Sequence, residues 1–170
     1  YDVKTGKAFV DIVLDSAGQK GTGRWTAISA TDMGVPAGII NEAVYARALS
    51  TLTEQRKNAE TQLMRPSTST CLDPQKVEQD IESALYCAKI CTYAQGFQIL
   101  KEAKKVYNWH FDFSEIAKIW RGGCIIRAKF LQEIADTYQL NPEIENLLVA
   151  KQFSNILNAQ QAAWRDSVML

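Results

Sequence analysis

One lysine, one threonine and two glycines fall within four residues of this chain, Lys20 to Gly23, inside the run GQKGTGRW of residues 18–25. Together they suit one task, the capture of an oxyanion such as phosphate. Gly21 and Gly23 carry no Cβ, so the backbone can turn sharply and expose its N–H groups. Lys20 adds a positive charge and Thr22 a hydroxyl donor. Where such a loop enters a helix, the unpaired N–H groups of the first turn and the helix dipole both favour an anion. Glycine loops ahead of helices also serve as plain turns, and this one fits neither of two sharper patterns. A P-loop needs Gly-Lys followed directly by Ser or Thr, whereas Lys20 precedes its glycine. A dinucleotide fingerprint needs a strand before, a helix after, and a second strand bearing an acidic residue. The run Phe9 to Leu14 can pass for the first strand, but no second one follows.

Arg47 is the next candidate. Ile40, Ala43 and Val44 form an apolar stripe at helical spacing, and Arg47 falls on it. A guanidinium on a buried stripe needs a partner. Spacing leaves two open, an internal carboxylate such as Glu42 or Glu54, or an external anion. His110 has no acidic or cysteine neighbour in sequence and reads as structural. Cys71, Cys87, Cys91 and Cys124 show no C-x-x-C pair. They read as small buried hydrophobes in a reducing cytoplasm, and no metal site is expected. Nothing in these motifs supplies a catalytic acid, base or nucleophile.

The elements that must hold these residues are helical. With 46% hydrophobic and 22% charged residues, the 170-residue chain has the composition of one globular domain. Lys plus Arg and Asp plus Glu are 19 each, so a general nucleic-acid or membrane surface is not expected. No apolar run is long enough to span a bilayer. A short helix is predicted over Trp25–Met33, stopped by Gly34 and Pro36, and a longer one over Pro36–Met64 whose second half is a solvated, mixed-charge face. Arg65–Leu72 reads as a loop. Asp73-Pro74 then opens a central helix to about Tyr107, apolar all round in its middle, with Gly96 marking a close helix crossing. Asp112 and Glu115 fit a capping box for a helix through Trp120. WRGGCIIR reads as a kink or junction before a helix to Tyr138. Asn141-Pro142 caps another, and a stripe from Phe153 to Val168 runs on to the end. The chain starts without methionine and stops within an apolar pattern, so it reads as a piece of something larger.

GQKGTG followed by W-T, then E-A-V-x-A-R at 42–47, Y-A-Q-G-F at 93–97 and R-G-G-C-I-I-R at 121–127, resembles the 6-phosphogluconate dehydrogenase family over the whole chain. The resemblance implies an all-α fold, a partial helical array from that family's C-terminal domain with one long central helix, entwined in a cytoplasmic homodimer. It implies NADP as hydride acceptor and 6-phosphogluconate as substrate, oxidised at C3 and decarboxylated to ribulose 5-phosphate. Residues matching Lys20, Thr22 and Arg47 hold the substrate phosphate in the family. The same resemblance places the NADP domain, the lysine base, the glutamate acid and a phosphate-binding tyrosine before Tyr1. A tail carrying an arginine and a histidine is placed after Leu170. No catalytic residue is therefore expected among these 170, and Arg24 stands where many members have lysine. The competing expectation is a non-catalytic helical binding or assembly module whose glycine loop takes phosphate incidentally.

Overall fold

A computed structural model describes residues 1–64 and 73–169. Along them run α1 (Thr22–Asp32), α2 (Gly38–Ser50), α3 (Thr53–Gln62), α4 (Pro74–Val106), α5 (Phe113–Ile119), α6 (Leu131–Leu140) and α7 (Lys151–Met169), with no strand among the described residues. The all-α expectation holds. The expected loop at 65–72, with Cys71, and the chain end at Leu170 lie outside the described residues.

The central helix starts as its sequence dictates. Pro74 occupies the first turn, where its missing N–H costs nothing, and the Asp73 carboxylate accepts from Gln75 N at 3.0 Å. At 33 residues α4 is about 50 Å long. Its buried face is Cys87, Ile90, Tyr93, Ala94 and Phe97. The expectation that the middle of the helix is buried all round was too strong, because α7 covers one side while Leu85 and Tyr86 remain 67% and 36% exposed. Phe97 meets the rings of Phe113, Trp120 and Tyr138, and Tyr93 packs edge-on against Phe130. This larger core joins α4 to α5, α6, α7 and the 3-10 turn Leu147–Val149. A smaller one, Ala30, Ala37 and Ile99, seats α1 and α2 on the other side of α4.

The run Tyr93–Phe97 is the hub between these parts. The Tyr93 hydroxyl donates to the Ile126 carbonyl and pins the segment after Trp120. Gln95 Oε1 accepts from Ile39 N at 3.1 Å and Ile40 N at 3.3 Å. Ala37, the N-cap residue of α2, offers no side chain to those donors, so α4 caps its neighbour from outside. Gln95→Ala leaves two part-buried N–H groups unmet and is expected to cost about 1 kcal/mol. A thermal melt of the variant checks this; an unshifted midpoint would mean the cap contributes nothing.

Several predicted boundaries move. α1 begins at Thr22 rather than Trp25, and Gly34, at φ 69, ends it as predicted. Val35 N reaches Ala30 O at 2.8 Å and Gly34 N reaches Thr31 O at 3.1 Å, the paired closure for which a left-handed glycine is suited. The single helix predicted over Pro36–Met64 is two, broken at Thr51–Leu52. Ser50 Oγ turns back to Arg47 O and Thr51 Oγ1 to Ala48 O, competing with the helical ladder. Gly96 marks no crossing, since a Cβ there would meet nothing within 4 Å. WRGGCIIR is a non-helical junction, with Gly123 at φ 67, and α6 starts only at Leu131. Asn141-Pro142 opens no helix. That stretch is held open by Gln98 and Lys101 of α4, which donate to the carbonyls of Glu145 and Ile144.

Candidate functional site

Gly21 takes φ 98, a conformation in which glycine carries no side-chain penalty, and ends the loop as the N-cap residue of α1. No side chain caps the first turn, so its N–H groups keep their capacity for an external acceptor. Thr22 and Gly23 stand in that turn. A Cβ on Gly23 would lie 3.2 Å from Val44 Cγ2, so the absence of a side chain lets α1 start directly against α2.

A second tie holds the other end of the loop. Ala17 N donates to Ser50 Oγ at 2.9 Å, and that hydroxyl donates to Arg47 O at 2.7 Å. The loop of residues 18–22 is thus bracketed along α2 by Val44 at one end and Ser50 at the other. Arg47 sits midway. At about 100° per residue it falls between Val44 and Ser50 around the helix as well as along it. The two ties thus hold the ends of the glycine loop to turns of α2 on either side of Arg47, which lies 25 residues after Thr22 in sequence.

Arg47 differs from its expected setting. It is exposed rather than set in a buried stripe, and α2 contributes no buried residue. Neither Glu42 nor Glu54 pairs with it among the described residues, and Glu54 is taken by Lys57 at 3.3 Å. Lys20 and Thr22 are exposed too. Lys20, Thr22, Arg47 and the N-terminus of α1 make up the candidate corner, and no carboxylate pairs with the lysine or the arginine among the described residues.

The sequence reading missed Arg56, which it assigned to the solvated face of the second half-helix. Its guanidinium donates from Nη1 to Asp15 Oδ2 at 2.7 Å and from Nη2 to Asp15 O at 2.7 Å and Ser50 O at 3.1 Å. The Ser-Thr run at 50–53 carries a local cue for the break that the reading of one helix over Pro36–Met64 passed over, and nothing local links Arg56 to a residue 41 positions back.

Other candidates carry less chemistry. An apolar groove of about 640 Å³ runs between α1 and α4, lined by Trp25, Tyr107, Trp109 and Trp120, with Thr22 at its edge. His110 is exposed on the far side near Lys104 and Glu143. Burial pushes the thiols of Cys87 and Cys91 up, away from the reactive thiolate. No group of metal-ligating side chains occurs among the described residues.

Comparison with known proteins gives this geometry a context. The family model described as 6-phosphogluconate dehydrogenase, C-terminal domain, matches residues 1–170. A Bacillus subtilis (strain 168) protein named 6-phosphogluconate dehydrogenase, NADP(+)-dependent, decarboxylating, is 46% identical over 99% of this chain and 36% of its own length. A Schizosaccharomyces pombe relative, named 6-phosphogluconate dehydrogenase, decarboxylating, is 45% identical over 99% of this chain and 34% of its own. Among solved structures, Plasmodium falciparum 6-phosphogluconate dehydrogenase superposes with a TM-score of 0.89 at 39% identity, covering 99% of this chain and 36% of that one. That enzyme's structures include complexes with NADP+ and with 6-phosphogluconate. The chain spans about a third of the length of the curated relatives it matches.

Proposed function

Since this chain belongs to the 6-phosphogluconate dehydrogenase family and matches its C-terminal domain, we propose that it acts within a decarboxylating dehydrogenase as the part that holds the phosphate end of the substrate. Lys20 supplies a mobile charge, Thr22 a hydroxyl and the first-turn N–H groups, and Arg47 a planar fork matched to phosphate oxygens. The observation that supports this reading is the double bracket at Ala17–Ser50 and Gly23–Val44, which sets the glycine loop across the helix carrying Arg47.

The overall reaction is oxidation of 6-phosphogluconate at C3, with the hydride passing to NADP, followed by loss of carbon dioxide to give ribulose 5-phosphate. The described residues hold no strand and hence no βαβ crevice of the kind that binds a dinucleotide. NADP binding and proton transfer belong to segments beyond this chain in the full-length enzyme. Gripping the phosphate, remote from C3, contributes binding energy and fixes the position of the reacting carbon. The full-length enzyme is read as a cytoplasmic homodimer. No helix of the described residues is long and apolar enough to cross a membrane.

The direct test is an assay of the full-length protein with 6-phosphogluconate. It should reduce NADP and release carbon dioxide in equal amounts. NADP reduction without carbon dioxide, or none at all, would sink the assignment.

A further inference from the structure

Arg56 is the one guanidinium in the described chain that ties three backbone regions together: the segment before the glycine loop, the end of α2 and α3 itself. Its bond to Ser50 O and the bond of Ala17 to Ser50 Oγ meet on the same residue. Ser50 in turn holds the Arg47 carbonyl. A chain of hydrogen bonds thus runs from Arg56 to the loop carrying Lys20 and to the helix turn carrying Arg47. Resting on the phosphate-site reading above, we propose that Arg56 is a positioning residue for substrate, a clasp that sets the distance between the Lys20 loop and Arg47 without touching the phosphate.

The form of the clasp argues for geometry over stability. The Asp15 side chain is 82% exposed and that of Arg56 33%, so their ion pair is well screened and contributes little to folding. Arg56 Nε is buried with no hydrogen-bond partner among the described residues, a cost that a purely stabilising pair would avoid. What the planar fork provides is direction. Two of its nitrogens fix one carboxylate and two carbonyls at once, which a flexible ammonium cannot do. At Thr51–Leu52 the helical ladder gives way to turn bonds, and the Arg56 bond to Ser50 O adds a tie between the end of α2 and α3.

The test compares wild type, Arg56→Ala, Arg56→Lys and Arg47→Ala in the full-length enzyme. Each is assayed on 6-phosphogluconate and on unphosphorylated gluconate, beside a thermal melt. Arg56→Ala should lower the preference for the phosphorylated substrate about five- to tenfold, mainly through KM, because misplacement of a binding group weakens binding steeply. Arg56→Lys should restore only part of it. If Arg56→Ala does not fold, Arg56→Lys and Asp15→Asn carry the same test with milder changes. A preference undiminished in the folded Arg56 and Asp15 variants but lost in Arg47→Ala would overturn the clasp and leave the phosphate site standing. Equal losses on both substrates with a lowered melt would make Arg56 merely structural, which also overturns it. A preference untouched even in Arg47→Ala would remove the phosphate site, and the clasp with it.

Discussion

Made on its own, the 170-residue chain reduces no NADP above a protein-free blank when supplied with 6-phosphogluconate. The expected loss is complete because two separate requirements are unmet by the described residues. Hydride transfer needs the nicotinamide held against C3, and the described residues, without a strand, offer no crevice at the end of a parallel sheet for it. Proton transfer needs a group near its working pKa within hydrogen-bond reach of the substrate. The candidate corner offers Lys20, Thr22 and Arg47 with no histidine or carboxylate assigned among them, and His110 lies elsewhere. Positioning lowers a barrier but cannot replace the missing acceptor or base. Circular dichroism should show a helical protein, so that inactivity is not read from an unfolded sample. Turnover by that sample would mean that the chemistry is housed in these helices after all.

Arg47→Ala in the full-length enzyme should raise KM for 6-phosphogluconate about ten- to a hundredfold, as expected for charge-assisted bonds of roughly 1.5–3 kcal/mol. Lys20→Ala should cost less. Its ammonium is a point charge on a loop, and the first-turn N–H groups of α1 still reach the phosphate after truncation. The exposure of Arg47 in this domain sharpens the test. With no carboxylate partner among the described residues and little burial, its removal should leave the melting temperature within a few degrees. The loss should therefore appear in kinetics on the phosphorylated substrate and nearly vanish on gluconate. Losses of the same size on both substrates would mean that Arg47 serves the fold or another part of the site.

Much of the fold was legible where a local rule acts alone. Asp73-Pro74, Asp112 and Gly34 end or begin helices through bonds made within a few residues, and each stands where the sequence placed it. Boundaries set by partners were not legible. Asn141-Pro142 has the signature of a helix start, yet Gln98 and Lys101 hold the carbonyls that follow it. Gly96 carries the composition of a crossing but faces open space. At the site, the glycine loop was visible as a pattern, while the burial of Arg47 was overestimated because an apolar stripe does not say whether anything covers it. Arg56 could not be found at all. Its acceptors lie 41 residues back and six residues back, and only the folded chain brings them together.

The two apolar clusters on α4 are unequal, and this orders how the domain comes apart. The larger draws on five elements, while the smaller has three fully buried residues, of which Ile99 belongs to α4. α2 depends on Gln95 of α4 for its first-turn bonds, but no comparable bond runs the other way among the described residues. The α1–α2 pair is therefore expected to peel off while α4 stays folded, rather than the reverse. Local opening is expected to be hierarchical, with the candidate phosphate corner on the half that opens more readily. A bound anion, held only by the closed form, then stabilises the very part of the molecule that would otherwise fray first.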